Sequence, residues 1–207
     1  MQIGKLSLIP IITAALSLAQ HSNAAVQIDY ALGGSSFFVK SDNTFFTGGD
    51  AFVFYGSFEV GDIPTGASTS QSIEDDFIQL GIPLSDPYAG GNFSSTDDET
   101  TSLGSKQGYM IVTNNADIGS STKIAIITNS SDADWQFAAD LSGPAPPSSP
   151  EVSSDDAFAT GGSIVLGSAG TSGAFDTVQF ADIAVPEPST AAMLALGSAA
   201  FFLRRRK

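Results

Sequence analysis

The side chains with the widest chemical range are nearly missing from this 207-residue chain. It has one histidine, His21, and no cysteine, and its arginines are confined to Arg204, Arg205 and Arg206. Carboxylates are plentiful. The 22 Asp and Glu residues include the clusters Glu74-Asp75-Asp76, Asp97-Asp98-Glu99, Asp132-x-Asp134 and Asp155-Asp156. Oxygen ligands of this kind suit hard cations, and extracellular calcium modules can bind weakly. No cluster carries the D-x-[DN]-x-[DN]-G loop of a helix-loop-helix calcium site. Asp132 and Asp134, next to an expected strand at Trp135, are the first candidates for calcium. The competing reading is a solvated acidic surface, and no other cofactor is expected.

Catalytic constellations fare worse. His21 falls in a segment expected to be removed, so Ser-His-Asp and Cys-His sites are excluded, as are zinc and haem sites built on His and Cys. Ser41-Asp42-Asn43 and Ser120-Ser-Thr-Lys123 match two fragments of the serine β-lactamase signature. They stand in the wrong order and K-T-G is missing. Lys123 also opens an expected strand rather than lying on a helix behind the serine, so both fragments read as turns. A two-carboxylate glycosidase needs no histidine, but the only tryptophan is Trp135, which reads as core. Phe45, Phe46 and Tyr88 sit in loop-like contexts from which they could stack on a sugar. The chain is not expected to be an enzyme. Asn92-Phe-Ser94 and Asn129-Ser-Ser131 match the N-glycosylation pattern, a short motif that carries little weight by itself.

The two ends read as handling signals. Residues 1–24 have the form of a secretory signal peptide: Lys5, an apolar stretch over 6–19, then Ser22 and Ala24 as the small residues before a cut. The cut is expected between Ala24 and Ala25, the alternative being before Val26. At the other end Pro186 and Pro188 hold Val185-Pro186-Glu187-Pro188 extended and poor in backbone donors. Ser189 or Thr190 can cap a helix, and the uncharged run 191–203 is rich in helix formers. It is short against the roughly 20 residues of a full span, but Ser189 and Thr190 lengthen it and the terminal cations can snorkel. Arg204, Arg205, Arg206 and Lys207 form a stop-transfer cluster held on the cytoplasmic side. A C-terminal transmembrane helix is therefore expected.

Pro186-Glu187-Pro188, the short apolar helix and the Arg cluster together resemble the PEP-CTERM sorting signal of bacterial exported proteins. The resemblance covers about the last 22 residues. It implies recognition by a membrane-embedded exosortase, processing near the Pro-Glu-Pro motif, and an association with exopolysaccharide-producing, biofilm- or floc-forming cells.

The organisation is then a signal peptide at 1–24, a domain at 25–184 and a sorting signal at 185–207. Between the signals, 21 acidic residues face only Lys40, Lys106 and Lys123, a net charge of −18. Nothing there would neutralise phosphates, so nucleic acid is excluded as a partner, and anionic membrane surfaces would repel the domain. With no disulfides, the fold must rely on packing or on calcium. The domain is long enough for one core.

Its 13 Phe and many Gly, Ser, Thr, Asn and Asp favour strands joined by turns. Strands are expected at 26–30, 37–40, 51–60, 108–113, 123–128, 163–166 and 177–183, with another beginning at Trp135. The stretch 51–60 is apolar on both parities, as in a central strand bent at Gly56. One helix is expected over 70–80, capped by Ser72, with Ile73, Phe77 and Leu80 as its buried stripe. Residues 85–104 read as a long polar loop, and 143–150 as a proline-rich loop or spacer. The fold class is mainly β, a single β-sandwich-like domain with one short helix.

The reading is an exported, exosortase-processed protein of the cell surface or extracellular matrix with a structural or interaction role. Its partners would be signal peptidase, exosortase, the membrane through the C-terminal helix, and extracellular polysaccharide. The alternatives are a carbohydrate-binding module, then a glycoside hydrolase.

Overall fold

A computed structural model describes residues 26–30, 36–46, 49–59, 61–86, 90–95, 102–139, 141 and 150–185. The expected signal peptide, with Ala24 and Ala25, and the apolar run 191–203 lie outside these residues. Among the described residues, no helix is long and apolar enough to cross a membrane.

The described part is mainly β, with one α-helix and three sheets. The largest sheet is built on β3 (Phe52–Phe58), β6 (Tyr109–Thr113) and β7 (Lys123–Asn129). These strands are antiparallel neighbours, with Phe54 opposite Ile111 and Ile111 opposite Ile126. Strand β4 (Phe77–Gln79) extends the sheet beyond β3. The far edge of β7 is shared by β9 (Gly162–Leu166) and β12 (Ala181–Asp182). Two three-stranded sheets complete the fold. One has the order β5 (Gly91–Ser95), β1 (Val26–Tyr30), β8 (Glu151–Val152), and the other β10 (Ser168–Ser172), β11 (Phe175–Gln179), β2 (Ser36–Val39).

Alternation explains how the large sheet feeds an apolar cluster on each face. Successive side chains of a strand point to opposite faces. Val53, Tyr55, Met110, Val112, Ala125 and Ile127 point into a core shared with Ile28, Phe38, Phe93, Val152 and Val178 of the two smaller sheets. Phe54, Phe58, Tyr109, Ile111, Ile124 and Ile126 point the other way, into a second cluster closed by Ile73 and Ile118. The central position expected for β3 is thus observed, flanked by β6 and β4. Gly56 is where β4 comes closest. A Cβ there would lie 2.1 Å from the Ile78 carbonyl oxygen and 2.7 Å from Phe77 Cζ.

The expected helix is shorter than its stripe. Helix α1 runs Ser70–Asp76, capped by Thr69 rather than Ser72. The Thr69 hydroxyl accepts from Ser72 N–H at 3.1 Å, and the Ser72 hydroxyl accepts from Thr69 N–H at 3.0 Å. At Phe77 the backbone turns extended and the chain pairs with β3. Phe77 and Ile78 are an aromatic and a β-branched residue meeting an open sheet edge, and pairing there outweighs one more helical turn. Strand parity then separates the stripe: Ile73 and Phe77 enter the second cluster, whereas Leu80 enters the first.

Two further expectations are corrected. The polar stretch 85–104 contains β5, which pairs along five residues with β1 although only Phe93 of its described side chains is buried. Trp135 opens no strand. It ends a 3₁₀ turn, Ala133–Trp135, because the Asp132 carboxylate accepts from Asp134 N–H and nucleates the turn. The hairpin of β6 and β7 is as expected.

The C-terminal strands change sheets in mid-course. β9 lies on β7, the chain bends at Gly167 with φ +113°, and β10 continues in a smaller sheet. A Cβ at Gly167 would lie 2.6 Å from the Gln179 carbonyl oxygen, so glycine is required at this corner. The chain returns through β11, passes buried Phe180, and rejoins β7 as β12. This return path brings residue 184 to the start of α1.

Candidate functional site at the chain exit

Every residue of the segment leading into Val185 is tied to the domain. Ala181 and Asp182 pair with Ile124 and Lys123. Ile183 N–H donates to the Thr122 carbonyl at 2.9 Å, and the Ala184 carbonyl accepts from Ser70 N–H at 3.2 Å. Thr69 and Ala184 form a parallel bridge. Ser70 sits in the first turn of α1, where backbone donors have no partner inside the helix, so a passing carbonyl is a natural acceptor. Its hydroxyl, fully buried, donates to the Gly119 carbonyl at 2.6 Å. Helix start, loop 114–122 and chain exit therefore meet at one junction.

Side chains reinforce it. Lys123 Nζ lies 2.6 Å from Asp182 Oδ1 and donates to the Ser41 hydroxyl at 3.2 Å. Glu74 of α1 hydrogen-bonds the carboxyl of Asp117 in the loop. That shared hydrogen bond holds Glu74 above the usual carboxylate range. The same bond, with the Ser120 hydroxyl at 2.5 Å, holds Asp117 below it.

The sequence-derived site residues divide as follows. Val185 is the last described residue and is exposed. Pro186, Glu187, Pro188, Arg204, Arg205, Arg206 and Lys207 lie outside the described residues, as do Tyr88 and the cluster 97–99. Asp132 and Asp134 are brought together, but as parts of a turn, with Asp132 Oδ1 accepting from Asp134 N–H at 3.0 Å. Among the described residues, no group of three or more His, Cys, Asp or Glu is arranged to hold a metal ion. The carboxylates of Asp134, Asp132 and Asp156 add to burial in pushing up the Tyr55 hydroxyl.

Trp135 is fully buried and its indole is engaged by Asp156, so it offers no sugar-stacking face. Phe46 is buried as well. Phe45 is exposed and meets Phe37 edge-on at 5.7 Å, while Phe37 meets exposed Phe175 at 5.1 Å. Both sequon asparagines are structural: Asn92 donates to Asp29 at 2.6 Å, and buried Asn129 accepts from the Ser131 and Asp132 N–H groups. Asp117 and Ser70 were not legible as site residues, because their partners lie 43 and 114 positions away in sequence. Thr69 had a local signal, the Thr-x-x-Ser capping pattern one turn before the apolar stripe.

The described residues define a mainly β domain whose last described strand, β12, is followed in sequence by Ile183, Ala184 and Val185 and then by Pro186-Glu187-Pro188. The residues from Ala184 to Lys207 match the family model described as the PEP-CTERM protein-sorting motif. The chain therefore carries this sorting motif, with exosortase as the implied processing partner and export through a membrane-anchored intermediate as the implied route. No curated protein and no solved structure matches the chain.

Proposed function

We propose that this is a non-catalytic protein of the cell surface or extracellular matrix. It is exported by a signal peptide over 1–24, held by a transmembrane helix within 185–207, and processed by exosortase at Val185-Pro186-Glu187-Pro188. The domain at 25–184 is a β-sandwich-type module that works by surface contact with matrix polymers. The observation that carries the reading is the sorting motif at 184–207 joined to a folded domain. The charge of −18 between the signals supports the rest, because calcium and other divalent cations are then natural counter-ions bridging the domain to acidic polysaccharide. Such bridging is diffuse and needs no built metal centre.

The test uses the full-length protein in cells that make an exosortase. Wild type should lose its C-terminus and reach the surface or medium. Replacing Pro186, Glu187 and Pro188 by Ala should leave an intact, membrane-retained chain. Equal processing and equal retention of both forms would remove the reading.

The aromatic trio favours a second reading, a carbohydrate-binding module. Phe45, Phe37 and Phe175 place two exposed rings around a half-buried one. If they bind sugar, Phe45→Ala with Phe175→Ala abolishes retardation of the domain in polysaccharide-loaded gels.

A further inference from the structure

We propose that Ala181–Ala184 form a strap that must leave the domain before the sorting motif can be processed, so that the processing enzyme draws its substrate out of the fold. The inference rests on reading Val185–Pro188 as the processing motif.

Three observations lead to it. First, the backbone of the strap is already in use. Ala181 and Asp182 pair with β7, Ile183 N–H is bound by Thr122, and the Ala184 carbonyl is bound by Ser70. A peptide held extended in a groove is gripped through these same N–H and C=O groups, and they serve one partner at a time. Second, the motif has few handles of its own. Pro186 and Pro188 lack an N–H, so within Val185–Pro188 only Val185 and Glu187 carry one. The next donors upstream belong to the strap. The five residues 186–190 span at most about 18 Å when fully extended, so little slack separates the fold from the expected membrane segment. Third, the strap is lightly held. Its ladder is two residues long, Ala181 and Ile183 are only partly buried against the second cluster, and the Asp182 side chain paired with Lys123 is 78% exposed. Segments with few buried contacts are those that open first.

The absence of native cysteine makes the test clean. Full-length protein with Thr69→Cys and Ala184→Cys carries one disulfide across the observed bridge, confirmed by mass and by mobility without reductant. Its processing is followed by pulse-chase beside wild type, each single Cys variant, and versions with about ten Gly and Ser residues inserted after Ala184. A strap open roughly 10% of the time or less taxes the rate at least about tenfold. Locking it should therefore abolish processing until reductant is added. The insertion should speed the unlocked chain about tenfold and make the locked one indifferent to its disulfide.

Ser70→Pro is a milder probe. It removes the donor to Ala184 at a helix position that tolerates proline, and should raise the rate relative to Ser70→Ala. A confirmed disulfide without effect, or Ser70→Pro processed no faster than Ser70→Ala, overturns the strap. If wild type and the Pro186, Glu187, Pro188 triple-Ala variant are equally unprocessed, the motif reading itself has failed. If only the triple variant is unprocessed and the lock has no effect, the strap alone has failed.

Discussion

Trp135 Nε1–H donates to Asp156 Oδ2 at 2.9 Å, fastening the 3₁₀ turn Ala133–Trp135 to the turn Ser154–Ala157. The same oxygen accepts from Ser153 N–H at 2.7 Å, and Asn129 donates to the Asp156 carbonyl at 3.1 Å. The Tyr55 ring packs on the indole at 5.8 Å between centroids. The chain's one tryptophan is thus a strut between loops.

Trp135→Phe should destabilise the protein by about 1.5–3 kcal/mol, the range for a hydrogen bond to a charged group. The measurement is the shift in urea midpoint, followed by circular dichroism. In the wild type, fluorescence should be blue-shifted and insensitive to acrylamide until unfolding. A quenched, red-shifted native spectrum would contradict the burial of Trp135.

Gly56→Ala should cost about 1–3 kcal/mol or more, since the new Cβ meets the Ile78 carbonyl oxygen at 2.1 Å and backbone cannot yield as a flexible side chain can. Gly66→Ala is the control. A Cβ there has nothing within 4 Å, and the change should stay within about 0.5 kcal/mol. Equal denaturation midpoints for the two variants would contradict the packing of β4 on β3.

The Glu74–Asp117 pair makes stability depend on pH in two opposing ways. Glu74, held above its usual range by Asp117, contributes fully below its unfolded pKa and loses that contribution as pH rises through the raised folded value. Asp117, held below its range by Glu74 and then Ser120, contributes above its unfolded pKa and loses that contribution as pH falls through the lowered one. Both contributions coexist only around the ordinary carboxylate pKa, about 4. The groups are largely exposed, so screening keeps the effect to about 1 kcal/mol or less. Glu74→Gln donates at every pH. It should melt above wild type at about pH 7, and this advantage should vanish near pH 4. An advantage independent of pH would show that the carboxyls do not share a proton.

Thermal melts of residues 25–184 with calcium and with chelator should superpose to within about 1 °C, below the roughly 2–4 °C shift that 1 kcal/mol produces in a domain of this size. Asp132 and Asp134 shape a turn, and among the described residues no third acidic ligand joins them. A calcium-dependent rise that Asp132→Ala abolishes would restore them as a metal site.

Much of the fold was legible because period-2 alternation is a local property. The expectation for β3 followed from a run apolar on both parities, and its burial on both faces matches; β6 and β7 stand where strands were expected. Where a segment satisfied two patterns, the sequence misled. Ile73, Phe77 and Leu80 fit one helical face, but Phe77 met the open edge of β3 and became strand. Gly91–Ser95 fit a loop, but β1 supplied five partners. Trp135 and Phe137 looked like alternating strand residues, but the Asp132 carboxylate turned the chain first.

By itself the sequence determined that histidine and cysteine chemistry is absent from the domain, that the domain is strongly acidic, and that the chain carries a sorting motif. These properties belong to residue types and short spacings, which folding cannot change. Only the tertiary structure decided that Glu74 meets Asp117, that Trp135 is braced by Asp156, and that Ala184 is held by Ser70. Each depends on bringing together residues 21 to 114 positions apart, and no local pattern records such a meeting. The sheet-changing turn at Gly167 and the return of β12 to β7 carry the chain to Ala184 beside the start of α1.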